Sequence, residues 1–279
     1  MTTYSDRLKE HLVRYKRERL GVSEDGVWGR NGRAYPHILP AALHRLNIIE
    51  TARREFWSRY QSGPDAIRLH SDFHHLNSSQ ALACNVFFPL LHLVPGGFGH
   101  LLKALRLPAD SLRRWALEDV PDPEEGTNFD AAMELASGAR IYFEVKLSEA
   151  GFGACTPDDA HRAKLREIYV PRLNGKVPTG ALEEAAFFPQ YQLFRNVSYL
   201  RPCTEDRLVV LAPKANGGLW STGQAFRESL LTDAVRPAFQ MVALEDLIGT
   251  LRDSAGAGDH LLSVHVAMLA EKYLPANEA

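Results

Sequence analysis

From Ile141 onward the chain alternates strictly: Ile141, Phe143, Val145 and Leu147 lie on one side, Tyr142, Glu144, Lys146 and Ser148 on the other. A period of two predicts a half-buried strand, with Glu144 and Lys146 sharing the face turned away from the apolar one. Upstream, Phe129, Ala131, Met133 and Leu135 alternate in the same way with Asp130, Ala132 and Glu134. Ala136-Ser137-Gly138 between them has the length and the late glycine of a three-residue hairpin loop, with Gly138 in the left-handed position. The stretch 128–149 therefore reads as a β-hairpin. Its register sets Leu135 opposite Ala139, Glu134 opposite Arg140, Ala132 opposite Tyr142 and Asp130 opposite Glu144. Matching apolar faces and the opposite charges of Glu134 and Arg140 both favour that register.

The rest of the pattern predicts helices around this hairpin. A charged helix over 3–20 ends at Gly21, and 21–40 is loop-rich. A second helix over 41–60 carries Leu43, Leu46, Ile49, Ala52, Phe56 and Tyr60 at helical spacing and is stopped by Gln61-Ser62-Gly63-Pro64. Leu76-Asn77-Ser78-Ser79 reads as an N-cap before a helix apolar on every side, hence buried. Pro95-Gly96-Gly97 precedes a short helix at 99–105, and 112–120 holds a strand with Glu118 near its end. After the hairpin, 149–180 is an irregular insertion with one helix near 158–168, and 181–199 is a helix. Residues 207–213 form an all-apolar strand of the kind buried in a sheet centre. A helix near 224–231, a last strand at 239–244 and an amphipathic helix at 259–274 complete the chain. This divides into a helical, basic N-terminal extension, 1–70, and a larger α/β domain, 71–279, with its core at about 77–213.

The chain has 279 residues, room for one large domain or two small ones with a real core. It holds no run of about 18 apolar residues, which excludes a membrane-spanning helix. The first twenty residues lack the apolar centre of a signal peptide, so a cytoplasmic location is expected. Cys84, Cys155 and Cys203 are scattered without C-x-x-C spacing and read as reduced thiols. A net charge of −2 argues against a protein that simply coats nucleic acid. Residues 1–60, however, carry 12 Lys or Arg against 7 Asp or Glu, a net +5 that leaves −7 for the remainder. A basic arm beside an acidic region fits phosphate-backbone contact, and it fits a solvated helix face equally well.

The hairpin register puts Asp130 and Glu144 roughly 5 Å apart at Cβ. Like charges so placed repel unless a cation sits between them, and a hard divalent ion such as Mg2+ is held by one or two carboxylates plus water. Lys146 on the same face can orient or deprotonate a water, or offset charge building on a phosphate. Three ordinary polar residues on the wet side of a hairpin are the plain alternative. His70 and His74, followed by His75, have the spacing of two helical zinc ligands. No further ligand accompanies them at a defined spacing, which favours hydrogen-bonding histidines.

The order helix, strand, strand, strand, helix, strand around a D-x13-E-x-K unit resembles the PD-(D/E)XK nuclease superfamily. More narrowly, HLNSSQALACNVFFPLL, GTNFDAAMEL, IYFEVKLSEAGFG and FPQYQLFRNVSYL look like a bacterial restriction endonuclease family. The resemblance implies an α/β, restriction-endonuclease-like αβββαβ core with a central mixed sheet and a helical N-terminal extension. It implies a metal-dependent DNA endonuclease of restriction or defence type using Mg2+, with Mn2+ as substitute, and no organic cofactor. Asp130 and Glu144 would hold the ion with the Val145 carbonyl, and Lys146 would serve the attacking water. The first core helix offers Ser79, Gln80 and Asn85 but no acid, so one metal or two stays open, with Glu118 as the substitute ligand. The literal Pro-Asp pair, Pro121-Asp122, has loop character, and Asp130 fits the hairpin face better. From the helix after the lysine, Gln190, Gln192 and Arg195 are candidates, Gln192 foremost. DNA is the implied partner, and a homodimer stays open. Two other readings stand beside this one: a nucleic-acid-binding or interaction module with the nuclease frame but no turnover, and a hydrolase using paired carboxylates on sugars, which would not need Lys146.

Overall fold

The centre of the molecule is a five-stranded mixed sheet, in the order β3 (Leu112–Asp119), β4 (Phe129–Leu135), β5 (Arg140–Val145), β6 (Arg207–Ala212), β7 (Phe239–Ala243). The first three strands are antiparallel, whereas β6 and β7 run parallel to β5. This is a computed structural model, and it describes residues 2–61, 66–256 and 258–275. A separate two-stranded ribbon, β1 (Gly26–Trp28) and β2 (Arg33–Tyr35), lies within the segment expected to be loop.

Both faces of the sheet are covered. In β6, Val209 and Leu211 point into one apolar core while Leu208, Val210 and Ala212 point into the other, which is why that strand is apolar throughout. The first core is roofed by α1 (Tyr4–Arg14), α2 (Glu50–Tyr60), α3 (Ser79–Phe88), α4 (Gly97–Ala104), α10 (Leu244–Ser254) and α11 (His260–Tyr273). The second is roofed by α5 (Asp159–Lys164), α6 (Val170–Leu173), α7 (Glu184–Phe187), α8 (Tyr191–Ser198) and α9 (Gly217–Leu230). Helix α3 lies between the sheet and α2 and is buried from Gln80 to Phe88, with the Phe87 ring 4.4 Å from that of Phe143. The order α3, β3, β4, β5, α8, β6 is therefore present, with further helices between its members and after it.

The first helix contributes to the same core. Tyr4, Leu8 and Leu12 of α1 pack there, and His11 Nε2 lies 2.8 Å from the Glu271 carbonyl on α11. Lys16 is fully buried, its ammonium donating to the Glu24 and Ile38 carbonyls and to Asp25.

Some boundaries differ from expectation. The helix expected over 41–60 is two pieces, a 3-10 turn over Ala41–Asn47 and then α2. Ile48 and Ile49 are extended between them because both dive into the core, where the Asn85 side chain accepts the Ile49 N–H at 2.8 Å. Helix α2 ends at Tyr60; Ser62, Gly63 and Pro64 of the expected stop lie outside the described residues. The last strand ends at Ala243, and Leu244 already opens α10, a helix the pattern had not shown.

Candidate active site

The hairpin keeps the expected register where it pairs, Glu134 with Arg140, Met133 with Ile141, Ala132 with Tyr142 and Ala131 with Phe143, and Gly138 turns with φ +86°, but the expected Asp130–Glu144 pair is not part of the ladder. Beyond Ala131 the two backbones stop pairing. There the Asp130 carboxylate takes the place of the ladder and accepts the Val145 N–H at 2.7 Å. A strand residue projects its N–H and C=O to the same side, so the Val145 carbonyl faces the same fork. Lys146 N–H is turned the other way, to the Leu211 carbonyl of β6.

Glu144 is 3 % exposed, and both of its oxygens accept hydrogen bonds. Oε1 accepts from Gln192 Nε2 at 2.8 Å and lies 3.0 Å from Lys146 Nζ, while Oε2 accepts from Asn196 Nδ2 at 2.8 Å. Gln192 is oriented in turn, since its Oε1 accepts the Gly153 N–H at 3.0 Å. Burial works against the charge on Lys146, but the carboxylates of Glu144, Glu149 and Asp130 together raise its pKa. Asp130 is pushed well above the usual carboxylate range, first by burial and then by the Glu144 charge, partly offset by the Val145 N–H.

This face was expected to be wet. It is covered by α8 and the segment leading to it, whose Phe187, Phe194 and Val197 pack with Tyr142 in the second core. Phe129 also departs from the alternation. Instead of joining Ala131 and Met133 it turns to the second core and stacks on Tyr142 at 4.4 Å.

Glu118 reaches the same neighbourhood from β3. Its backbone is left-handed (φ +52°), a conformation uncommon outside glycine. Its carboxylate accepts from Asn128 Nδ2 at 2.5 Å, and its pKa is raised, chiefly by burial. Glu118, Asp130 and Glu149 line a cleft of about 430 Å3 with His70, Asp72, His75 and Gln80. Glu144 and Lys146 are not among its lining residues. Among the described residues, no three His, Cys, Asp or Glu side chains stand together as a ready-made metal site.

A family model for a restriction endonuclease associating with ARP matches residues 9–274. The chain belongs to that family. No curated protein and no solved structure matches it. In this restriction-endonuclease-like chain, no helix among the described residues is long and apolar enough to cross a membrane.

The other candidates of this family member fall away from the fork. Arg195 turns from it and donates to Glu125 and Thr127, both at 3.1 Å. The buried Oε1 of Gln190 has no hydrogen-bond partner. Asp122 is held by Arg172 at 2.6 Å and caps the Glu124 and Glu125 N–H groups. Asn85 is a core connector between Ile49, Asn47 and Tyr273. His74 has both ring nitrogens against the Ser71 and Val27 carbonyls, at 3.1 and 3.2 Å, as a hydrogen-bonding histidine. The cysteines are free thiols, Cys84 buried and Cys203 exposed.

Asn196 escaped the sequence reading, although it stands four residues after Gln192 and hence on the same helical face. So did Glu125, 2 % exposed, which anchors α8 by accepting from Tyr199 at 2.7 Å, from Arg195 and from Tyr169. Burial opposes its charge, but the hydrogen bonds from Thr127, Tyr169 and Tyr199 and the Arg195 guanidinium outweigh it and hold the carboxyl at about 2. A depressed carboxyl stabilises the fold above its unfolded pKa and loses that contribution as pH falls through the folded value. The chain is therefore expected to lose of order 3 kcal/mol between pH 4.5 and about 2 from this group. Glu125→Gln should show a similar deficit at pH 7 that shrinks toward pH 3, as read by urea unfolding at both values.

Proposed function

We propose that the chain is a divalent-metal-dependent DNA endonuclease of restriction or defence type, working through a PD-(D/E)XK site at the β4–β5 fork. The observation that carries this reading is the crowding of Asp130 and Glu144 beside Lys146, with Asp130 driven up in pKa by burial and by its neighbour. Unrelieved negative charge among oxygen donors is what a hard cation neutralises, and Mg2+ accepts two carboxylates and a carbonyl while keeping its remaining waters. The donor set fits that ion, with Mn2+ as substitute. Asp130, Glu144 and the Val145 carbonyl would hold it, and Glu118 is the candidate ligand for a second.

A bound ion supplies Lewis-acid polarisation of the scissile phosphate. Lys146 supplies a fixed positive charge at the fork, aligning the water that attacks phosphorus and offsetting charge on the phosphoryl oxygens. Gln192 and Asn196 hold the Glu144 carboxylate in one orientation, as partners of a ligand do. Supercoiled plasmid incubated with the protein and Mg2+, Mn2+ or EDTA tests the reading. Nicked or linear product that disappears in EDTA is the expected result. Plasmid that is bound but stays intact in every metal would make the chain a binding module without turnover.

A further inference from the structure

Beside the cleft stands the β1–β2 ribbon, and nothing in the chemistry above uses it. Strands of three residues are not stable alone, so what fixes the ribbon matters. At its root, a Cβ on Gly26 would come 2.1 Å from the Leu39 carbonyl oxygen, so only glycine lets the ribbon press this closely on the core. On its flank, Trp28 Nε1 donates to Asp72 at 3.3 Å, its ring meets His75 edge-on at 6.2 Å, and the Val27 carbonyl faces His74 Nε2 at 3.2 Å. Asp72 and His75 are walls of the cleft that holds Asp130 and Glu118. The tip is preformed as well. Asn31 donates to Tyr35 Oη at 2.8 Å and accepts the Arg33 N–H at 3.0 Å, and Gly32 takes the left-handed turn with φ +67°.

What the ribbon presents outward is cationic. Arg30 and Arg33 are exposed and form no ion pair among the described residues; Arg30 rests over the Trp28 ring at 5.9 Å. Val27, beside them, is 51 % exposed. Arg68 is also exposed, its carbonyl held by Gln80 of the cleft wall. A cleft with Asp130, Glu118, Glu149 and Asp72 on its walls repels a polyanion unless positive charge at its rim offsets them. A two-stranded ribbon also has the width that the major groove of a duplex admits.

We propose that the β1–β2 ribbon is a duplex-DNA contact, with Arg30 and Arg33 binding backbone phosphates and holding the substrate against the cleft. The proposal rests on the endonuclease reading and adds the element that positions its substrate. The test uses the full-length protein and its Arg30→Ala, Arg33→Ala double variant. Binding to a labelled random-sequence duplex is followed by anisotropy in EDTA over a series of KCl concentrations, with Mn2+ titration calorimetry and thermal melting alongside. Affinity should fall at least about tenfold, and the slope of log K against log salt should shrink by about two, one unit per lost phosphate contact. Mn2+ affinity and melting temperature should stay unchanged.

A double variant that binds duplex as tightly as a parent that also cuts plasmid would overturn the ribbon's role and leave the endonuclease reading standing. A parent that neither binds nor cuts DNA would overturn both. Weakened Mn2+ binding in the double variant would also overturn the proposal, because the ribbon would then be acting through the walls of the cleft.

Discussion

Alanine at Lys146 is expected to slow DNA cleavage about 100- to 1000-fold, the usual cost of one preorganised electrostatic group, some 3–4 kcal/mol. Divalent-ion affinity should be retained or increased, and that split carries the argument. Lys146 Nζ lies 3.0 Å from Glu144 Oε1, so its removal leaves that oxygen with only the Gln192 hydrogen bond and more open to an ion. Gln192 and Asn196 still fix the other two contacts of the carboxylate, so the ligand does not swing away. Calorimetric titration with Mg2+ or Mn2+, paired with cleavage of one DNA substrate, reads both quantities. Parental cleavage by the variant would reduce Lys146 to a salt-bridge partner and end the proposed mechanism.

Asp130 offers the second large effect, and two substitutions separate its roles. Both Asp130→Asn and Asp130→Ala remove a charge proposed to bind the ion and should lower cleavage about 1000-fold or more, with ion affinity falling in parallel. Their stabilities should diverge. Asparagine still presents an oxygen to the Val145 N–H, which Asp130 accepts at 2.7 Å, and it relieves the repulsion from Glu144. A relief of about 1 kcal/mol raises the melting temperature of a chain this size by about 2 °C. Alanine leaves that N–H without its acceptor and should cost about 1–3 kcal/mol. A loss of stability in Asp130→Asn matching that in Asp130→Ala would mean the two carboxylates do not repel in the folded protein.

The hairpin was legible because its information is local. Alternation, the loop length and Gly138 all lie within twenty-two residues, and they specify which side chains stand opposite one another. Burial of the Glu144 face was not legible, because the covering residues, Phe187, Phe194 and Val197, arrive some fifty residues later. Glu125 left no local mark for the same reason: the tyrosines and arginine that charge and hold it come from positions 169, 195 and 199. Helix α10 was hidden differently. The strand residues Met241, Val242 and Ala243 run straight into Leu244 without a glycine or proline to mark the change. The β1–β2 ribbon was missed because three-residue strands are too short for alternation to register, and its fixed root depends on contact with Leu39.

The seating of α1 against α11 sets a condition on how the chain is made. Leu8 and Leu12 are fully covered in the finished fold, and His11 meets the Glu271 carbonyl. These partners are separated by nearly the whole sequence, and a ribosome adds about 5–20 residues each second. The apolar stripe of the first helix is thus exposed for roughly 12–50 s before its seat exists. Over that interval it is exposed apolar surface of the kind that aggregates, and translation in a chaperone-free mixture should yield more pelleted aggregate than the same reaction supplied with chaperones.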